Sequence, residues 1–158
     1  MLTRREFAAS LLGTAGAALL PAIPAGAAQS SLNDLARRSG RLFGSAVRSD
    51  QIAAEAGLRR TVAAECGLLT PEIHLKWNSI EHRKGSLWYQ PVDDLVALAA
   101  RTGQKIYGHT LLWEQGTPDW ALREMKARRN WRLVSDHMER VLGRYGAAID
   151  VWDVVNEP

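Results

Sequence analysis

The chain has 158 residues, 46% hydrophobic and 23% charged, with 13 Gly and 6 Pro. These are globular proportions, and they exclude a disordered, collagen-like or multi-span membrane protein. The 20 Lys and Arg against 17 Asp and Glu leave a net charge of +3. The basic residues gather on no evident face, so the surplus argues weakly for nucleic acid. The single cysteine, Cys66, cannot close an intrachain disulfide and reads as a small core residue.

Residues 1–27 differ from the rest. Arg4-Arg5 precedes an Ala/Leu/Gly stretch from Ala8 to Leu20, broken by Pro21 and Pro24 and closed by the small-residue triplet Ala25-Gly26-Ala27. The stretch is too short to span a bilayer, which takes about 20 apolar residues. It reads as an export signal cut after Ala27, and Thr3-Arg4-Arg5-x-Phe7 resembles the twin-arginine signal of bacteria. An ordinary secretion signal that contains two arginines is the alternative. On either reading the protein works outside the cytoplasm, and residues 28–158 carry the fold.

Leu42 to Val47 reads as a first strand, followed by a helical pattern that starts with Asp50 as N-cap and runs through Ile52, Ala56 and Val62. Gly67-Leu68-Leu69 is a short second strand entering a loop at Thr70-Pro71. Asp93 to Ala100 sets Leu95, Leu98 and Ala99 on one helix face, with Gly103 placed as a C-cap. Lys105 to His109 is a third strand. Trp131 to Tyr145 spaces Val134, Met138, Val141, Leu142 and Tyr145 as a helix, with Asn130 before it and Gly146 after. Ile149 to Val155 is a fourth strand. Strands alternating with helices at this spacing predict an α/β fold of parallel βαβ units with right-handed crossovers. Four such units would leave both sheet edges unpaired, so the pattern reads as the front part of a larger fold; an eight-unit barrel takes about 250 residues.

In parallel α/β folds the working residues stand at the C-terminal ends of the strands. Three such ends are polar and aromatic here: Glu72, Lys76 and Trp77 after the second strand, His109 and Trp113 after the third, Asn156 and Glu157 after the fourth. A carboxylate, an ammonium, an imidazole, an amide and indoles on one rim suit a sugar, whose hydroxyls take polar groups and whose apolar ring face stacks on indole. Taken singly, each has a plainer reading: Glu72 and Lys76 as solvated loop charges, His109 as a hydrogen-bonded core histidine, Trp152 as core, Asp153 as a structural hydrogen-bond acceptor. Their occurrence at successive strand ends argues for a site.

The strings Gly108-His109-Thr110-Leu111-Leu112-Trp113, Pro118-Asp119-Trp120 and Trp152-Asp153-Val154-Val155-Asn156-Glu157 resemble glycoside hydrolase family 10, the endo-1,4-β-xylanases. Thr70-Pro71-Glu72, Lys76-Trp77 and Phe43 to Val47 fit the same family, so the resemblance runs from residue 42 to 158. It implies a (β/α)8 TIM barrel, of which this chain holds roughly the first four βα units, and a retaining hydrolysis of β-1,4-xylosidic bonds in xylan. It implies Glu157 as the catalytic general acid/base, a role that needs a raised pKa supplied by burial and a second carboxylate. It implies Asn156 as the amide on the sugar 2-hydroxyl, His109 and Trp113 as walls around the cleaved sugar, and Glu72 and Lys76 as hydroxyl-binding groups one sugar further toward the non-reducing side.

Two positions depart from the family pattern: Ile73 stands where an Asn is usual, and Glu114 where a His is usual. The family's nucleophile is a later glutamate with no counterpart in these 158 residues. No cofactor and no metal is called for; the expected partner is xylan or a xylo-oligosaccharide, the expected state a monomer that binds neither nucleic acid nor, once the signal is removed, a membrane. Two other classes compete. One is a non-catalytic carbohydrate-binding protein on the same scaffold, which a missing downstream nucleophile would reveal. The other is an exported oxidoreductase, against which stands the lack of a Gly-x-Gly-x-x-Gly or metal-ligand pattern.

Overall fold

The structure, a computed structural model, describes residues 30–129 and 131–158. The export signal read at residues 1–27 and the helix-leading Asn130 lie outside the described residues. Among the described residues no helix is long and apolar enough to cross a membrane.

A helix the sequence pattern had not suggested comes first, α1 (Leu32–Arg37). Ser31 caps it, its hydroxyl accepting from the Asp34 N–H while the Asp34 carboxylate accepts from the Ser31 N–H. Then follow β1 (Gly44–Val47), α2 (Ser49–Ala54), α3 (Ala56–Glu65) and β2 (Leu68–Pro71). The single helix expected after β1 is thus two. Glu55 takes extended angles between them, and the Arg59 guanidinium donates to the Ile52 and Ala53 carbonyls, closing α2 from outside. Asp50 is not the N-cap: Arg48 holds that position, and Asp50 sits in the first turn paired with the Arg48 guanidinium at 2.7 Å.

After β2 come the short α4 (Trp77–Ile80), the long α5 (Gln90–Thr102) and β3 (Lys105–Gly108). Pro91 opens α5 and Gly103 ends it in the left-handed conformation, φ 68°, as its position predicted. Then β4 (Leu112–Trp113), a 3₁₀ turn (Glu114–Gly116), α6 (Asp119–Arg128) and α7 (Arg132–Tyr145) lead to β5 (Val151–Trp152) and β6 (Val155–Asn156). Helix α6 has a diffuse apolar pattern, burying only Ala121 and Met125, which is why periodicity did not show it.

Among the described residues all the strands pair in parallel, and one isolated antiparallel bridge joins Arg83 to Ser86. Among the described residues one sheet runs β1-β2-β3-β5, with Gly44 opposite Leu68, Leu69 opposite Ile106 and Gly108 opposite Trp152. A second, two-stranded sheet pairs β4 with β6, Trp113 opposite Asn156. The fourth strand expected at Ile149 to Val155 is therefore broken. The Asp153 carbonyl takes the Leu111 N–H at 3.0 Å and the Thr110 hydroxyl at 2.9 Å, which leaves the strand ladder at that point. The third strand breaks at the same level, so β3–β4 and β5–β6 are two interrupted strands lying side by side.

The helices cover one face of the sheet. Leu69, Leu75, Val92, Leu95, Ile106, Val141 and Ile149 are almost wholly buried there, and Cys66 joins them as expected. Helices α5 and α7 are also joined through polar groups: Asp93 accepts from the Tyr145 hydroxyl at 2.8 Å and from Arg144 at 3.1 Å. A Cβ on Gly108 would meet the ring of Trp152, which packs against this core. The variant Gly108→Ala therefore overpacks the junction of β3 and β5, and its urea unfolding midpoint should show a loss of about 1–3 kcal/mol.

Candidate active site

The strand ends fall on one rim because all the strands run the same way. Glu72 follows β2, its N–H donating to the Val47 carbonyl at 2.9 Å, and its exposed carboxylate lies within electrostatic reach of Arg48 and His74. Lys76 comes at the foot of α4. Its ammonium sits 4.4 Å from the centre of the Trp113 indole, a cation–π contact that joins the loop after β2 to the strand after β3. Gly116 permits this approach, since a Cβ there would stand 3.0 Å from the Trp113 ring and 3.4 Å from the Lys76 Cβ.

Trp113 is the hub. Its indole N–H donates to Glu157 Oε2 at 2.8 Å, and its backbone lies in register with Asn156. The Asn156 amide has no hydrogen-bond partner among the described residues, so it is free to meet a ligand. Glu157 has φ 51°, the left-handed region that a residue with a Cβ enters only when its surroundings hold it there. Its side chain is exposed, so the burial expected for an acid/base is not supplied by these residues.

His109 is fixed from behind. Its Nδ1 lies 2.8 Å from Asp153 Oδ2, while Asp153 Oδ1 accepts from the Tyr107 hydroxyl at 2.6 Å. The bond from Tyr107, and then that from His109, holds the Asp153 carboxyl below its ordinary range, and the same bond pushes the Tyr107 phenol up. Asp153 is the structural acceptor the sequence suggested. Tyr107 was missed, because a tyrosine in an apolar strand carries no signal of which strand it will bond. The structure thus links Lys76, Trp113, Glu157 and Asn156 through contacts or register, whereas His109 is tied to Asp153 and Glu72 stands at the end of β2. Of the two departures, Ile73 is half-buried with no hydroxyl-binding group, and Glu114 is exposed at the start of the 3₁₀ turn. Among the described residues no group of three or more His, Cys, Asp or Glu is placed to hold a metal.

Beneath the rim Trp77 is only 2% exposed. It stacks on His137 at 4.4 Å, meets Trp120 edge-on at 5.8 Å and donates its indole N–H to buried Glu81 at 3.1 Å. Burial, with Arg140 adding to it, brings the His137 imidazole down to about 4 from 6.5. The unfolded chain takes up this proton below pH 6.5 while the folded chain refuses it until about 4. Stability present above pH 6.5 is therefore lost as the pH falls through that window, with buried His74 acting in the same direction. His137→Phe should flatten the fall of the urea midpoint between pH 6.5 and 4 while leaving the carboxylate-driven loss at lower pH, where Asp93 and Asp153 protonate. An unchanged slope would rule His137 out as its source.

The model of glycosyl hydrolase family 10 matches residues 31–158. The chain is 36% identical over 131 residues to endo-1,4-beta-xylanase 3 of Hypocrea jecorina, covering 82% of this chain and 38% of that protein. It is 38% identical over 89 residues to a beta-1,4-xylanase of Dictyoglomus thermophilum, covering 56% and 25%. Among solved structures, a xylanase of Paenibacillus barcinonensis superposes with a TM-score of 0.68 at 28% identity, over 84% of this chain and 40% of that one. The endo-1,4-beta-xylanase of Caldicellulosiruptor owensensis gives 0.64 at 28%, over 78% and 39%. The chain thus spans about two fifths of the length of most of these relatives.

Proposed function

Because the chain belongs to glycosyl hydrolase family 10, we propose that the whole protein is a retaining endo-1,4-β-xylanase and that residues 28–158 form the first strands of its (β/α)8 barrel. The observation that supports this reading above the others is the Trp113–Glu157 hydrogen bond, with Lys76 over the same indole and Asn156 in register beside it. That arrangement sets a carboxyl, an amide and an ammonium around one aromatic wall, the components of a sugar cleft.

In the proposed reaction Glu157 gives its proton to the glycosidic oxygen as the bond to the anomeric carbon breaks. A second carboxylate, from chain beyond these 158 residues, takes the anomeric carbon as a covalent glycosyl-enzyme. Glu157 then removes a proton from the water that displaces it, so two inversions give retention. Asn156 holds the 2-hydroxyl, a contact that strengthens in the transition state. His109, kept in orientation by Asp153, and Trp113 wall the cleaved sugar; Glu72 and Lys76 bind hydroxyls one sugar further on. Ile73 offers no such bond, so the affinity of that inner sugar rests on the remaining groups.

In the full-length protein Glu157→Ala should slow xylan cleavage by about 10²–10⁴-fold, the usual worth of general acid–base assistance. The first step with an aryl xylobioside, whose leaving group needs little help, should be spared. Azide should restore the second step and give a β-glycosyl azide. Wild-type rates on both substrates would remove Glu157 from the mechanism.

We also propose that residues 1–27 send the protein out of the cytoplasm by the twin-arginine route and that it acts as a monomer. Changing both Arg4 and Arg5 to Lys should then leave uncut precursor in the cytoplasm on a fractionation blot. An unchanged exported yield would point to general secretion instead.

A further inference from the structure

Tyr107 follows Ile106 in β3, so the alternation of the strand sends its ring to the face away from the helix-covered core. There its hydroxyl crosses to the neighbouring strand and donates to Asp153 Oδ1 at 2.6 Å. The other carboxylate oxygen, Oδ2, lies 2.8 Å from His109 Nδ1. The backbone of Asp153 is fixed as well: its N–H donates to the Gly108 carbonyl and its carbonyl accepts from the Leu111 N–H, both at 3.0 Å. What this leaves open is rotation of the carboxylate about its last side-chain bond, a soft torsion. The Tyr107 hydroxyl closes it by engaging one of the two oxygens.

Tyr107 and His109 are the titratable groups that face Asp153 among the described residues, and their bonds hold its carboxyl below the ordinary range. At neutral pH it is ionised, and both its oxygens can only accept. With an acceptor against it, His109 Nδ1 must carry a proton. In the neutral ring Nε2 then keeps a bare lone pair. The ring is half-buried, and Nε2 has no hydrogen-bond partner among the described residues. Such a nitrogen takes a proton donor, and a sugar hydroxyl is one. We propose that Tyr107 is a positioning residue: by engaging Asp153 Oδ1 it aims Oδ2 at His109 Nδ1, holds His109 in the Nδ1-protonated tautomer and so makes Nε2 an acceptor for a sugar hydroxyl. The inference rests on reading the rim as a glycan cleft.

The test reads the ring nitrogens of His109 by nitrogen NMR in the full-length protein at alkaline pH, with His109→Gln identifying the signals. The wild type should carry a proton on Nδ1 and none on Nε2. Tyr107→Phe loses only the hydroxyl; it should show both tautomers in exchange and a kcat/KM on xylan lowered roughly three- to tenfold, the net worth of one hydrogen bond. In Asp153→Asn the Tyr107 hydroxyl holds the amide oxygen and turns the NH₂ toward His109, so the proton should move from Nδ1 to Nε2. Unchanged signals from buried His137 show that each variant folds. A xylo-oligosaccharide added to Glu157→Gln, which binds without cutting, should shift the Nε2 signal while Nδ1 stays protonated. A wild-type proton on Nε2 overturns the proposal. So does a single unchanged tautomer in Tyr107→Phe, which would make Tyr107 only a tie between strands. Failure of Glu157→Gln to bind the oligosaccharide, with the tautomers as expected, overturns the cleft reading instead.

Discussion

The arrangement at Asp153 governs the rest of the rim. Its carboxylate is held by Tyr107 and His109 from one strand, and its carbonyl by Leu111 and Thr110 just beyond. One residue thereby ties together two strands at the level where both break. The break lets β4 and β6 form a separate parallel pair, and that pair puts Trp113 beside Asn156 and within reach of Glu157. A regular ladder would instead send alternate side chains to opposite faces. The interruption sets Trp113 opposite Asn156 on the rim that the parallel strands share.

The rim is held from below by close packing of flat groups. Trp77 sits between His137 and Trp120, and its N–H reaches Glu81, whose carboxylate also accepts from the Gly85 N–H at 2.8 Å. This layer fixes the start of α4 and so the direction of the neighbouring Lys76. A neutral imidazole serves there because a charged one, largely removed from water, would lose its hydration without a carboxylate against it. Two glycines complete the support: Gly116 lets Trp113 and Lys76 approach, and Gly108 lets Trp152 close over the sheet.

The rim is anchored through its strands and less so through its loops. His109 and Trp113 are pinned by hydrogen bonds and pairing, whereas Glu72 and Glu157 extend from strand ends with exposed carboxylates. Glu157 is held in a strained backbone conformation by the single bond from Trp113 among the described side chains. Built this way, the aromatic wall is held by bonds and pairing while the carboxylates of Glu72 and Glu157 stay exposed.

The sequence by itself determined the alternation of strands and helices, the C-cap at Gly103 and the polar and aromatic residues at the strand ends. Those features are local: periodicity follows from side-chain direction, and a left-handed cap calls for glycine. The shared rim also followed, since parallel strands present their ends together. Tertiary structure alone decided where the strands break, because the break depends on which partner takes the Asp153 carbonyl. It decided that the helix after β1 is two, through Arg59 reaching back to Ile52. It also decided that Tyr107 belongs to the support of His109. Each of these joins residues distant along the chain or turns on one backbone group's choice of partner, and side-chain pattern records neither.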